Sequence, residues 1–306
     1  MTIKSDILSQ DIKNIMEVFN MCAIFGFANF KAKENMSAEK FKNSLKSLTI
    51  ISQARGKDST GISTVQANGT IYDLRKVKSP DKYIKHPAGQ EFFKTCFNRN
   101  TKVLIGHTRM ATHGAVNKLN AQPFLYDNVL GSHNGIISNY KEVFYDLNVE
   151  HKTDCDSEVI FAGMSVHDTV QGKVDFLDEL IGPYAIAFYD KRTPNLLYFA
   201  RRDNPLTVIR DRRQGVLLWS SKIEYLKQAL GIHYKDFEEV PIEDGDFMTI
   251  RLDNGDIEDY YTGYVDNSKT ETFSALEECT FCGIRANCDY VQRYDCWLCP
   301  RCNRDI

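Results

Sequence analysis

The sequence predicts a layered α+β domain built on largely antiparallel sheets, followed by a small cysteine-rich module. Short strands joined by turn residues recur between residues 184 and 261, with a single helix among them. Ahead of them, over residues 22–180, strands and amphipathic helices are mixed. Nine cysteines are unevenly placed, most of them crowded between Cys279 and Cys302.

The 306 residues allow one large domain with an appendage, or two medium domains. With 42% hydrophobic and 26% charged residues the chain is ordinary for a soluble globular protein. A formal net charge of -3 carries no nucleic-acid or membrane field, and no apolar run approaches the roughly 20 residues that a membrane span needs. No secretory signal precedes the domain, so the expected location is the cytoplasm, where clustered thiols suggest metal before disulfides.

Residues 1–21 read as a leader or a mis-assigned start. Ile3, Ile7, Leu8, Ile12, Ile15, Met16 and Phe19 fall at helical spacing among charges. Residues 22–30 read as a strand. Ser37 is placed to cap a helix with Phe41, Leu45, Leu48 and Ile51 on one face. Residues 54–61 form a polar, Gly-flanked loop before a strand at 62–65, and further strands are expected at 102–105 and 129–132. Helices are expected at 140–147, at 157–166 and ending at 176–180. The later strands fall at 184–189, 196–200, 206–209, 216–220, 247–251 and 257–261, with a helix at 222–230. Residues 22–264 thus form the main domain, 265–277 a linker and 278–306 the cysteine-rich module.

The stretch with the most chemistry is Met21-Cys22-Ala23-Ile24-Phe25-Gly26. Alone, it reads first as a buried cysteine in a core strand. If cleavage leaves Cys22 first, one residue carries both a thiol and a free α-amine, which titrates at about 7.7–8.0 and serves as a base near neutral pH. In the loop from Gly106 to Gly114, Arg109 suits a bidentate grip on a carboxylate, or equally pairs with a surface acid. His133-Asn134-Gly135 offers a side-chain amide beside a backbone N–H, the pair that an oxyanion hole needs, and equally fits a hairpin turn. Before the helix at 157–166, Asp156 or Ser157 reads as an N-cap, and Asp156 also suits an ammonium group. Free glutamine presents a carboxylate, an ammonium and a neutral amide that match Arg109, Asp156 and Cys22 in turn.

These segments together resemble the class II glutamine amidotransferases, N-terminal-nucleophile hydrolases with a four-layer α/β/β/α glutaminase domain. The resemblance is carried by Cys22-Ala-Ile-Phe-Gly, by Arg55 to Gly61, by Gly106 to Arg109 with Ala111 to Gly114, by His133-Asn134-Gly135, and by Thr153 to Glu158. It spans about residues 22–262 and looks closest to the glutaminase half of the glucosamine-6-phosphate synthases. It implies Cys22 as nucleophile with its own α-amine as base, and Asn134 and Gly135 as the oxyanion hole. It implies Arg109, Asp156, Thr112 and His113 around bound L-glutamine, Arg55 in the loop that closes over it, and His107 as a structural histidine. Glutamine hydrolysis then needs no cofactor. Met110 departs from the tryptophan usual in the family, and residues 1–21 depart by preceding a cysteine whose amine must be free.

The tail carries two C-x-x-C pairs, Cys279/Cys282 and Cys299/Cys302, whose four thiolates suit a structural zinc ion in a ribbon around a hairpin at 289–298. Cys288 and Cys296 are spare thiols. Arginines and aromatics in the tail are offset by acids, which favours a protein surface and leaves nucleic-acid contact open. No acceptor-enzyme domain fits after residue 264, so the expected partner is a separate ammonia-accepting synthetase or transferase. A rival reading is a non-catalytic binding module with the same fold, and another keeps the nucleophile but hydrolyses a different amide.

Overall fold

The structure, a computed structural model, describes residues 22–30, 37–111 and 114–262, with the backbone of strand segments at 277–278, 285–286, 289–291 and 296–298. In chain order the elements are β1 (Ala23–Asn29), α1 (Ser37–Ile51), β2 (Ser59–Gln66), β3 (Ile71–Lys76), α2 (Pro80–Lys85), α3 (Pro87–Thr95) and β4 (Thr101–Arg109). They continue with β5 (Phe124–Tyr126), β6 (Val129–Gly135), α4 (Tyr140–Leu147), α5 (Glu158–Val166), α6 (Val170–Asp178), β7 (Tyr184–Asp190), β8 (Leu196–Arg202), β9 (Thr207–Asp211) and β10 (Val216–Ser220). The last are α7 (Ile223–Leu230), β11 (Glu238–Val240), β12 (Phe247–Arg251), β13 (Ile257–Tyr261), β14 (Glu277–Glu278), β15 (Arg285–Ala286), β16 (Asp289–Val291) and β17 (Cys296–Leu298).

Two sheets form the body. One has the order β11-β9-β10-β1-β4-β2-β3, the other β14-β15-β13-β12-β8-β7-β6-β5. Alternation along each strand builds the layers, because successive side chains leave opposite faces. In β1, Ile24 and Ala28 enter the core between the sheets, with Val103 and Ile105 of β4, Ala185 and Ala187 of β7, and Met248 and Ile250 of β12. Phe25 and Phe27 point the other way, onto Phe41, Leu45 and Leu48 of α1 and Leu226 of α7. On the second sheet Ile186, Phe188 and Phe247 meet Val159, Ile160 and Phe161 of α5 and Phe176 of α6. The result is the α/β/β/α order that the resemblance implied. Strands covered on both faces read as nearly continuous apolar runs. Full burial of Leu45 or Leu48 contributes roughly 1.5–3 kcal/mol each.

The strands and helices expected from sequence at 140–147, 216–220, 247–251 and 257–261 match α4, β10, β12 and β13. Elements absent from that reading include β3, β5, β11, α2 and α3. β3 and β5 lie at the sheet edges, where half-exposed side chains blur the pattern. α2 and α3 are short and each opens on proline. The hairpin expected at 289–298 is present as β16 and β17, with Tyr290 opposite Trp297. β15 pairs parallel to β13, so the second sheet continues into the tail. No described helix is long and apolar enough to cross a membrane.

Candidate active site

The strand faces that line the inter-sheet core turn polar at one end, and the site lies there. Cys22 stands one step before β1, on the face of Ile24 and Ala28. Register pairs Ala23 with Thr108 and Ser59 with Arg109, which brings Cys22, Arg109 and Ser59 side by side across β1, β4 and β2. Across the gap, β6 sends Leu130 into the inter-sheet core. Ser132 and Asn134 follow it on the same face, both with no exposed surface.

Cys22 is held through its main chain and its sulfur. Arg55 Nε donates to the Cys22 carbonyl at 2.8 Å. Met110 receives a hydrogen bond from Sγ on its carbonyl and donates its N–H back to Sγ, both at 3.4 Å. Burial pushes the thiol up to about 11, against the lowering pull of the Met110 main chain, Arg109 and Arg55. Such a thiol is not a standing thiolate at neutral pH and needs an adjacent base. The loop at 55–59 lies on the main chain of Arg109: a Cβ at Gly56 would fall 2.5 Å from the Arg109 carbonyl carbon. Asp58 Oδ2 accepts the Ala111 N–H at 2.8 Å, which joins that loop to the start of the next one.

Arg109 is buried, and its guanidinium donates to the carbonyls of Ala115 at 2.9 Å and Gly114 at 3.5 Å. Asp156 is also buried; its Oδ2 accepts the Ile137 N–H at 2.8 Å. Neither Asp156 nor Ser157 caps α5 through its side chain: Ser157 is the capping residue by position, but its Oγ lies 2.8 Å from His133 Nδ1. Glu158, nearly fully buried, accepts the main-chain N–H groups of Lys152 and Thr153 and so shapes the loop that presents Asp156. Arg109 and Asp156 both bias the Cys22 thiol, one lowering and one raising its affinity for a proton, so the three share one electrostatic site.

Asn134 and Gly135 are not a hairpin turn. β6 runs through both, pairing Asn134 with Ala185 and Gly135 with Tyr184. Gly135 has φ +150°, and an added Cβ would meet the Pro183 carbonyl oxygen at 2.0 Å and His133 Nε2 at 2.5 Å, so only glycine fits. The Asn134 carbonyl accepts from Asn204 Nδ2 at 2.9 Å. Its side-chain Nδ2 and Oδ1 are both buried and have no partner among the described residues.

The fold sets Arg55, Arg109 and Asp156 around Cys22, and carries Asn134 and Gly135 on β6 of the facing sheet. Thr112 and His113 lie outside the described residues, as do Cys279, Cys282, Cys299, Cys302 and the side chain of Ser37. Among the described residues no group of three or more His, Cys, Asp or Glu is placed to hold a metal ion. Sequence reasoning passed over Gln122 and Asn204, which act on main-chain groups elsewhere in the chain that no local pattern marks. Glu158 was noted only as the end of the 153–158 motif, with no role of its own.

His107 and His133 are both buried, and burial holds them well below the usual histidine range, at about 3 and about 4. Below the ordinary value near 6.5 the unfolded chain takes up protons that the folded chain refuses. Their stabilising contribution is complete above about pH 6.5 and is lost as pH falls toward 4, by up to roughly 1.4 kcal/mol per pH unit for each ring. Urea unfolding at pH 7, 6 and 5 checks this; a flat free energy across that range would contradict the burial of two neutral rings.

Comparison with known proteins fits this geometry. Residues 107–228 match the family described as a glutamine amidotransferase domain. Glutamine–fructose-6-phosphate aminotransferase (isomerizing) of Thermotoga maritima is 32% identical over 249 residues, covering 78% of this chain and 36% of the relative. 7-cyano-7-deazaguanine synthase 2 of Sulfurisphaera tokodaii is 27% identical, covering 67% of this chain and 44% of the relative. The chain thus spans less than half the length of these curated relatives. Among solved structures, glutamine phosphoribosylpyrophosphate amidotransferase of B. subtilis superposes with a TM-score of 0.56 at 18% identity, over 78% of this chain and 49% of that one. At that identity the likeness is one of fold.

Proposed function

Because the chain carries a glutamine amidotransferase domain, homologous to that of glutamine–fructose-6-phosphate aminotransferase, we propose that it hydrolyses the side-chain amide of L-glutamine with Cys22 as nucleophile. The observation that carries this reading is Asn134. A buried amide without a partner is costly, by about 1–3 kcal/mol, and is expected where a ligand supplies the missing bond. The place of Asn134 on β6, with its side chain on the face toward the inter-sheet core, supports an oxyanion role opposite the strand that Cys22 precedes.

In the proposed reaction Cys22 becomes the first residue and its α-amine takes the thiol proton, directly or through water. With the thiol at about 11 in the uncut chain, proton transfer accompanies attack. Sγ bonds to the amide carbon, and the Asn134 Nδ2 and Gly135 N–H groups hold the oxyanion. The tetrahedral species collapses, the C–N bond breaks, and the leaving nitrogen takes the proton to depart as ammonia. Water then cleaves the glutamyl thioester to glutamate and restores the thiol. Arg109 holds the α-carboxylate, Asp156 the α-ammonium, and Thr112, His113 and Arg55 complete the pocket. The ammonia passes to a synthetase or transferase outside these 306 residues. For the tail we propose a structural zinc ion on Cys279, Cys282, Cys299 and Cys302, supported by their spacing and by the β16–β17 hairpin between the pairs.

Protein beginning at Cys22 should release glutamate from L-glutamine and leave simple N-acyl amides intact. It should also carry about one zinc per chain by elemental analysis, with glutamine hydrolysis surviving chelation. Turnover of N-acyl amides but not glutamine would replace the substrate. Full activity in protein retaining residues 1–21 would remove the proposed base.

A further inference from the structure

Behind the Asn134–Gly135 main chain, on the helix side of β6, lies a closed polar group. Gln122, Ser157 and His133 are all buried. The His133 main-chain N–H donates to Gln122 Oε1 at 2.7 Å, which fixes the orientation of that amide. Gln122 Nε2 is then the donor to Ser157 Oγ, at 3.1 Å. Ser157 Oγ lies 2.8 Å from His133 Nδ1.

The direction of the last bond follows from the other ring nitrogen. His133 Nε2 and the Pro183 carbonyl oxygen crowd the same side of Gly135, at 2.5 and 2.0 Å from where its Cβ would stand. His133 Nε2 is buried and completes no hydrogen bond among the described residues. The acceptor that bears on it is the Pro183 carbonyl, so an N–H there is favoured over a lone pair set against lone pairs. Burial keeps the ring neutral, so it carries a single proton. With the proton on Nε2, Nδ1 accepts, and the Ser157 hydroxyl gives it its hydrogen.

The same short segment ties the strand a second time. Asp156 Oδ2 takes the Ile137 N–H at 2.8 Å. The two anchors, at residues 133 and 137, bracket Gly135. The Ile136 N–H, between them, donates to the Pro183 carbonyl at 3.2 Å. The loop that presents Asp156 and the strand that presents the Gly135 N–H are therefore held in one arrangement, by Asp156 itself and by Gln122, Ser157 and His133, which touch no substrate in the proposed reaction.

We propose that Gln122 and Ser157 are positioning residues: a one-way chain of hydrogen bonds from Gln122 through Ser157 sets His133 as its Nε2–H tautomer, and that ring fixes the Gly135 peptide for oxyanion binding. The oxyanion role rests on the glutaminase reading above; the proton arrangement does not. Ser157→Ala removes the donor to Nδ1, Ser157→Thr restores a hydroxyl, and Gln122→Met removes the donor to Ser157.

The test joins nitrogen-15 NMR with kinetics on protein beginning at Cys22. The expected wild-type spectrum has the His133 proton on Nε2. Ser157→Ala should shift the Gly135 amide signal and speed its hydrogen exchange. It should also lower kcat for glutamine by about 10-fold, the scale of one lost hydrogen bond, with KM changed by less than about 3-fold. Ser157→Thr should recover most of the rate, and Gln122→Met should repeat the Gly135 shift. A proton on Nδ1 in the wild type, or a Gly135 amide unchanged in both Ser157→Ala and Gln122→Met, overturns the proposal. If wild-type protein does not hydrolyse glutamine, the glutaminase reading fails, while the tautomer and the Gly135 amide still decide the hydrogen-bond chain.

Discussion

Cys22→Ala is expected to abolish glutamate release, by about 10³-fold or more, while the protein unfolds in urea at nearly the wild-type midpoint. The two halves of that expectation have separate causes. The sulfur's contacts are two long bonds to the Met110 main chain, so losing it removes little that holds the fold. The anchor at this position is the Cys22 carbonyl, which receives Arg55 Nε and survives the substitution. Neighbouring residues lock the strand: the Ile24 N–H donates to Ser221 Oγ at 3.0 Å, and the Ser221 N–H returns a bond to the Ile24 carbonyl at 3.0 Å. Chemistry loses everything, because among the described residues no other thiol lies in the site; Cys155 is buried next to Asp156, and burial pushes it up to about 12. Quantifying glutamate from L-glutamine, alongside a urea titration, checks both. Activity within about tenfold of wild type would remove Cys22 from the reaction.

Asn134→Leu should separate activity from stability in the opposite sense. Leucine keeps the branched outline of asparagine but carries no polar atoms. At a position with no exposed surface, where both amide atoms lack partners among the described residues, it removes an unmet desolvation penalty. The folded state should gain about 1–3 kcal/mol. The Asn134 carbonyl keeps its bond from Asn204, so the strand is not released. The oxyanion loses one donor, which lowers kcat by roughly 10²–10³-fold, with a smaller change in KM. Denaturation midpoints and steady-state kinetics on one preparation decide it. A stability loss with unchanged kcat would mean that Asn134 is a structural polar group and not an oxyanion donor.

The second expectation turns on a residue that function keeps at a cost to the fold. The Asn134 amide and the Gly135 peptide break local rules: one is a buried polar group without a partner, the other a strand residue at φ +150°. Natural proteins carry such violations where a site has to be ready before its ligand arrives.

The sequence by itself determined a layered α+β class and the segments that carry chemistry; the α/β/β/α order came only with the family resemblance. The apolar runs of β1, β7 and β12, and the helical face of Phe41, Leu45 and Leu48, are one-dimensional patterns that burial enforces directly. Cys22, Arg109, Asn134 and Asp156 stood out in the sequence because their side-chain types match glutamine's own groups. Only the tertiary structure decided what each of them does locally. It ran β6 through Asn134 and Gly135 where a turn was equally readable, because the Ala185 and Tyr184 pairings are worth more than the local preference of Asn-Gly. It turned the Arg55 Nε onto the Cys22 carbonyl, drew the Ser157 hydroxyl from its helix end to His133, and set Gln122 between them. Those bonds join residues 33, 24 and 35 positions apart. A hydrogen bond across such a separation depends on where strands cross, and only the folded chain fixes that.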